Sequence, residues 1–93
     1  MADKDEACRI DIWLWRARFV KTRSLAADLV ERGMVRLTRH GQQSRLDKPS
    51  RSVRPGDILT LALPAGVLVV RIEDLGARRG PAAEAQGLYT PIA

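Results

Sequence analysis

Residues 9–37 read RIDIWLWRARFVKTRSLAADLVERGMVRL, and this stretch determines the fold class. The apolar residues of its first part recur at spacings of three and four, which is typical of a helix with one buried stripe. They are Ile10, Trp13, Leu14 and Ala17. A second stripe follows the break at residues 21–23 and contains Leu25, Ala26, Leu29 and Val30. The pattern predicts a first helix over residues 10–20 and a second one that ends near Arg32.

Polar residues and a glycine mark the ends of the second helix. Thr22 or Ser24 can supply the side-chain oxygen that caps its first free amides. Gly33 follows the last residues of the stripe, at a position where a left-handed backbone conformation commonly ends a helix. Because the break between the two stripes is very short, we expect the two helices to form a compact hairpin.

After Met34 the pattern changes to short runs with high β-propensity. We predict a strand over residues 35–38, a turn around His40 and Gly41, and a partner strand near residues 43–46. A basic loop follows before the next turn signal.

The strongest hairpin signal lies in the second half of the chain. Pro55, Gly56 and Asp57 form a turn signal, and residues 58–63 and 67–72 are two β-prone runs separated by Pro-Ala-Gly. We expect Asp57 to have a structural role in its turn. The fold class is therefore α+β, with an N-terminal two-helix hairpin packed on a small antiparallel sheet of three to five strands.

The length of 93 residues is typical of one domain with a single small core. We expect a flexible leader over residues 1–8 and a binding domain over residues 9–75. Residues 76–93 are expected to form a C-terminal tail with one helical turn between Pro81 and Gln86.

Basic residues are concentrated in the first half of the chain. Lys and Arg outnumber Asp and Glu by 16 to 11, and the pI is about 10.3. Residues 9–54 contain twelve of the basic residues but only four of the acidic ones. This distribution favours a surface for a polyanion over a uniformly solvated surface. A basic amphipathic membrane anchor is disfavoured, because helix stops and turns interrupt the Arg-rich segments.

The sequence lacks the residues that several classes of function require. A single Cys8 excludes an internal disulfide, and one histidine is too few for a zinc site made of Cys and His. The sequence contains no nucleophile with a partnering base and no phosphate-binding glycine loop, so we expect neither an enzyme nor a cofactor or metal site. The first residues, MADKDEACR, lack the apolar region of a signal peptide, which indicates a cytoplasmic protein.

Four segments in order carry a resemblance to a known family: the paired tryptophans Trp13 and Trp15, KTRSLA at residues 21–26, KPSR at residues 48–51, and RRGPAAEAQGLY at residues 78–89. Together they resemble the RNA-binding domain named after the fourth protein of the small ribosomal subunit, whose helical part is called the αL motif. The nearest branch is the stand-alone bacterial fifteen-kilodalton heat-shock protein family. The hairpin RLTRHGQQSRLDKPS is longer than the usual version, in which KPS closely follows an Asn-Gly turn.

The resemblance implies a non-catalytic protein that binds structured RNA, namely ribosomal RNA of the large subunit, in a ribosome-associated role when translation stalls. RNA is read largely by shape through phosphates and 2′-hydroxyls, which suits basic side chains on a rigid surface. The first helix, the start of the second helix and the basic loop supply most of these basic side chains. The start of the second helix also favours an anion through its free amides. The candidate RNA-binding residues are Arg9, Arg16, Lys21, Thr22, Arg23, Ser24, Arg36, Lys48, Ser50 and Arg51.

Alternatives to these roles remain open from the sequence. Arg23 can pair with Asp11 or Asp28 and hold the helices together, and the two tryptophans can belong to the core rather than stack on bases. The alternative function is a sequence-nonspecific DNA-binding module, since phosphate contacts do not distinguish the two nucleic acids. A protein-interaction adaptor would need an exposed apolar groove, and the sequence shows no spare apolar stripe for one. We expect a monomer.

Overall fold

The computed structural model describes residues 6–92, so most of the predicted leader and Ala93 lie outside the described residues. Within that range the chain forms short helices and strands. The strands are β1 (Cys8–Arg9), β2 (Val35–Arg39), β3 (Gln42–Leu46), β4 (Ser52–Val53), β5 (Ile58–Leu63), β6 (Gly66–Ile72) and β7 (Tyr89–Pro91). The helices are α1 (Ile10–Arg16), α2 (Arg23–Glu31) and α3 (Ala82–Ala85), the last followed by a 3-10 turn (Gln86–Leu88).

The strands form one larger and one minimal sheet. Over residues 6–92, five strands pair antiparallel in the order β3-β2-β5-β6-β7, and β1 pairs with β4 alone. The predicted α+β class, with two helices and then an antiparallel sheet, is confirmed. The sequence did not predict β1, β4 or β7, because strands of two or three residues are too short to show an alternating pattern.

The two hairpins of the sheet have the predicted partners. β5 and β6 pair so that Leu59 lies opposite Val70 and Leu61 opposite Leu68. β2 and β3 each extend one residue beyond the predicted runs and are joined by His40 and Gly41, whose φ values are 53° and 78°. Two residues with positive φ are typical of a tight hairpin turn that matches the twist of the strands.

α1 ends at Arg16, so the prediction that the first helix reaches Val20 was wrong. Arg18 has a φ of 65°, its amide donates to the carbonyl of Trp15, and the Phe19 amide donates to that of Leu14. This is the bonding pattern that usually requires a glycine at the left-handed position. The same pattern ends α2 at Gly33, where the stop was predicted. The sequence offers no glycine near Arg18 and therefore no signal of the earlier stop.

The core lies between the helices and one face of the sheet. Val35, Leu37, Leu59 and Val70 are buried on that face. Trp13 is fully buried, and its indole nitrogen donates to the carbonyl of Asp74 at 2.9 Å. The structure therefore supports the core alternative for Trp13.

Candidate nucleic-acid interface

The basic loop before β4 is fixed against the start of α1. The amides of Ile10 and Asp11 donate to the carbonyls of Arg51 and Pro49, at 2.8 and 3.3 Å. The first amides of a helix have no partner within the helix, so the loop supplies acceptors for two of them. The pairing of β1 with β4 places Arg9 opposite Ser52 and holds the other end of the loop.

This docking brings four candidate residues together in a group that we name the loop cluster. It contains Arg9, Lys48, Ser50 and Arg51, all of them exposed. Asp11 is buried and accepts both contacts of the Arg9 guanidinium, at 3.0 Å to Nε and 2.9 Å to Nη2. Lys48 and Arg51 have no ion pair among residues 6–92 and remain available to an external anion.

The second group, which we name the turn cluster, lies beyond the other end of α1. Its members are Lys21, Thr22, Arg23 and Ser24, again all exposed. Thr22 caps α2, because its hydroxyl accepts from the amide of Leu25 at 3.0 Å. Of the two capping residues that the sequence allowed, Thr22 is thus the one used.

Arg23 pairs with neither of the acidic residues proposed as its partners. Asp11 pairs with Arg9, and Asp28 pairs with Arg32 across one helical turn at 3.0 Å. The alternative that Arg23 holds the helices together by an ion pair was therefore wrong. Within the described part of the chain its guanidinium has no acidic partner.

Arg16 differs from the other candidates because it is half-buried. Its Nη1 donates to the carbonyls of Leu75 and Gly76, at 3.3 and 2.8 Å, and its Nε is buried without a hydrogen-bond partner in residues 6–92. Arg16 is a candidate RNA-binding residue, but its Nη1 bonds to these main-chain carbonyls and is not free for a phosphate contact. A role of Arg16 in RNA binding stays a prediction.

The thiol of Cys8 lies beside the Arg16 guanidinium, with Nη1 and Sγ 3.7 Å apart. Burial raises the pKa of the Cys8 thiol, an effect that the positive charge of Arg16 partly opposes. The thiol is therefore a weak nucleophile at neutral pH.

Arg36 is separate from both clusters. It alternates with the buried residues Val35 and Leu37, so it lies on the sheet face that points away from the core. Its neighbours across the ladders are Arg45 and Thr60. Two like charges opposite each other destabilise a sheet, and an anion on that face would relieve the repulsion.

The pairing of Arg39 with Asp57 was missed from the sequence. Asp57 is 4% exposed and accepts from Arg39 Nε and Nη2, at 2.9 and 2.7 Å, and from the Arg54 amide at 2.8 Å. The hydrogen bond to Asp57 raises the pKa of Arg39. The structural role predicted for Asp57 is confirmed, but no sequence signal links two residues eighteen positions apart.

The structure also contains an apolar groove that the sequence did not lead us to expect. It has a volume of about 620 Å³ and lies between α2 and the tip of the β5–β6 hairpin. Leu25 and Met34, which line it, are 50% and 38% exposed. The expectation that no apolar surface is left over from the core was therefore wrong.

Metal-binding and membrane-spanning features are both absent from the described part of the chain. No group of three or more His, Cys, Asp or Glu side chains within residues 6–92 is arranged to hold a metal ion. Among those same residues, no helix has the length and apolar character needed to cross a membrane.

Comparisons with known proteins identify the family to which the chain belongs. A family model described as the S4 domain matches residues 8–59, which include both clusters. Heat shock protein 15 of Escherichia coli K12 is 41% identical over 85 residues, which cover 91% of this chain and 60% of that protein. The homolog from Aeromonas salmonicida is 39% identical over 88 residues, covering 95% of this chain and 63% of that protein. The chain thus spans about 60% of the length of these curated relatives.

A solved structure shows the same fold. It is described as the trimeric structure of Vibrio cholerae Heat Shock Protein 15, and it has a TM-score of 0.81 and 44% sequence identity. The match covers 95% of this chain and 84% of that one. The S4 domain is an RNA-binding domain, so the match indicates RNA as the class of ligand. From the family model, the identities and the shared fold together, the chain belongs to the S4 domain family, and within it to the heat shock protein 15 family.

Proposed function

We propose that this protein binds structured RNA without catalysing a reaction, and that its target is ribosomal RNA of the large subunit. The role is ribosome-associated, in the cytoplasm, under conditions in which translation stalls. The observation that carries the proposal is the exposure of Arg23, Lys48 and Arg51 without an ion pair among residues 6–92. These residues lie in the segments through which the chain resembles its RNA-binding family.

The two clusters suit a ligand that presents phosphates at separate points. α1 lies between them and has seven residues, so it is about 10 Å long. Structured RNA displays phosphates and 2′-hydroxyls over a broad, shallow groove. The loop cluster and the turn cluster would contact backbone at the two ends of α1, with the rigid helix pair fixing their spacing.

The experiment is sedimentation of the tagged protein through a sucrose gradient of cell lysate, at low and at moderate salt, with and without a treatment that stalls translation. We expect the protein to migrate with free large subunits and to be released as salt rises, because phosphate contacts weaken with salt. Migration only at the top of the gradient under both conditions would contradict the ribosomal target.

Competition with purified nucleic acids separates RNA from DNA. We expect structured RNA to displace a labelled RNA hairpin at lower concentration than duplex DNA of the same length, since the 2′-hydroxyl and the A-form groove are absent from DNA. Equal competition by the duplex DNA would instead support the DNA-binding alternative. The expected monomeric state stays a prediction, and light scattering of the purified chain tests it.

A further inference from the structure

A polar cleft of about 460 Å³ lies between the outer end of the β2–β3 hairpin and the basic loop. Gln42 lies opposite Arg39 and Ser44 opposite Leu37, so these four residues share the sheet face on which the core lies. Arg51 of the loop cluster lines the cleft as well. The volume is within the range of small-ligand sites, which is roughly 300–1,000 Å³. The β2–β3 hairpin, which is longer than the usual version, thus forms one wall of a cavity.

Arg39 lines the cleft, and its guanidinium is fixed before any ligand binds. Arg39 is held through Nε and Nη2 by the buried carboxylate of Asp57, and Nη2 also approaches the carbonyl of Ser52 at 3.4 Å. Its Nη1 has no acceptor among residues 6–92. A donor group that is already ordered loses little conformational entropy on binding, and guanidinium is well suited to phosphate oxygens and to the faces of bases.

The other residues that line the cleft are one apolar and several polar side chains, a combination that suits a nucleobase. Leu37 is only 2% exposed and closes the base of the cleft, whereas Gln42 and Ser44 are exposed and polar. A glutamine amide presents one donor group and one acceptor side by side, which matches the edge of adenine. The edge of a base in the cleft can therefore bond to Gln42, and the Arg39 guanidinium can contact its face.

We propose that this cleft binds a single unpaired nucleotide, preferably an adenosine, of the RNA that the protein contacts. The inference rests on the proposed RNA binding. Arg51 connects the two surfaces, because it belongs to the loop cluster and also lines the cleft, so one strand can reach both. The nucleotide is unpaired because removing a paired base from a helix costs a few kcal/mol, whereas a bulged base is already free.

The test compares two RNA hairpins that differ only in one bulged adenosine, using fluorescence anisotropy with the full chain. The cleft variant is Gln42→Ala/Ser44→Ala, which changes two exposed side chains and no charge. The matched control is Gln86→Ala, an exposed glutamine of the 3-10 turn. We expect the wild type and the control to bind the bulged hairpin about tenfold more tightly than the paired one. The cleft variant should bind both hairpins with the wild-type affinity for the paired one.

Each alternative outcome of this experiment contradicts either the proposed RNA binding or the proposed nucleotide site. Failure of the folded wild type to bind either hairpin overturns the proposed function and this inference with it. Equal binding of the two hairpins by the wild type leaves RNA binding intact and overturns the nucleotide site. A preference for the bulge that survives in the cleft variant places the nucleotide elsewhere. Displacement of the bulged RNA by a Glu-rich peptide, abolished in the cleft variant, would assign the cleft to an acidic protein segment.

Discussion

Two groups of basic side chains near α1 have opposite surroundings. Arg16, Arg18 and Arg79, which we name the clamp arginines, each donate to main-chain carbonyls. Arg18 Nε donates to the carbonyl of Gly80 at 2.7 Å, and Arg79 donates to those of Trp15 and Val20, at 3.0 and 3.3 Å. The Arg79 guanidinium also lies 5.7 Å from the centre of the Trp15 ring. These contacts attach the segment after β6 to the end of α1.

Arg23, Lys48 and Arg51, which we name the free basic residues, have neither carbonyl nor carboxylate partners for their side chains within residues 6–92. They have the same sign of charge as the clamp arginines and lie, with Arg16 and Arg18, in the basic segment at residues 9–54. The comparison shows that a dense basic segment need not be one binding surface. The irregular backbone after β6 leaves the carbonyls of Leu75, Gly76 and Gly80 without backbone partners among residues 6–92, and Arg16 and Arg18 donate to them.

The largest effect is expected from removing the free basic residues together. Removal of one phosphate contact should lower RNA affinity by about fivefold near physiological salt, so Arg23→Ala/Lys48→Ala/Arg51→Ala should bind RNA roughly a hundredfold more weakly. The slope of log affinity against log salt should become shallower by about three. Fluorescence anisotropy across a salt series measures both quantities.

A control variant with the same reduction of charge is available. Arg32, Arg71 and Arg78 are exposed but pair with Asp28, Glu73 and Glu84. Replacing these three by alanine should leave the salt slope close to that of the wild type. If both triple variants weaken RNA binding equally, net charge rather than position governs RNA binding. The free basic residues would then contribute no more to RNA binding than the three paired arginines.

Removal of a clamp arginine is expected to lower the stability of the fold. Arg16→Ala removes the donors to the Leu75 and Gly76 carbonyls, and hydrogen bonds from charged groups contribute about 1.5–3 kcal/mol each at most. Because one of the two is long, we expect the free energy of unfolding to fall by about 2 kcal/mol in urea denaturation. Arg16→Lys, which retains one donor group, should recover part of this. Unchanged stability together with a shallower salt slope would instead make Arg16 an RNA contact.

The clamp arginines also show which features of the structure could not be predicted from the sequence. The stripes beginning at Ile10 and Leu25, the stop at Gly33 and the β5–β6 hairpin were readable because each signal lies within a few residues. The partners of Arg16 are 59 and 60 positions away, and Arg18, at the stop after α1, donates to a carbonyl 62 positions away. Candidate binding residues could be named from the segments of the chain, but which of them are free depends on the tertiary structure.

Thr22 belongs to the turn cluster but has a structural contact like the clamp arginines, so it tests the boundary between the two groups. Loss of its cap in Thr22→Ala should lower the free energy of unfolding by about 1 kcal/mol, because the Leu25 amide loses its acceptor. Thr22→Ser should be close to the wild type, and urea denaturation measures both. Should Thr22→Ala weaken RNA binding while its denaturation midpoint stays unchanged, the hydroxyl contacts RNA in place of capping.

The smallest effect is expected at the ion pair of Glu73 and Arg71, where Arg71 is one of the three arginines replaced in the control variant. The pKa of Glu73 is lowered from its ordinary value by a hydrogen bond from the Thr90 hydroxyl at 2.7 Å, and next by Arg71 at 3.0 Å. A carboxyl with a lowered folded-state pKa stabilises the fold above the unfolded-state pKa, and this contribution is lost as pH falls through the folded-state value.

We therefore expect Glu73→Gln to flatten slightly the fall in melting temperature below about pH 4.5, and to leave the melting temperature at neutral pH nearly unchanged. The effect is small because both side chains of the ion pair are more than 40% exposed, at 45% and 41%. RNA affinity at neutral pH should rise little, since Arg71 is remote from both clusters in the sequence and would gain only partial freedom. A large gain in affinity would mean that Glu73 restrains an arginine that belongs with the free basic residues.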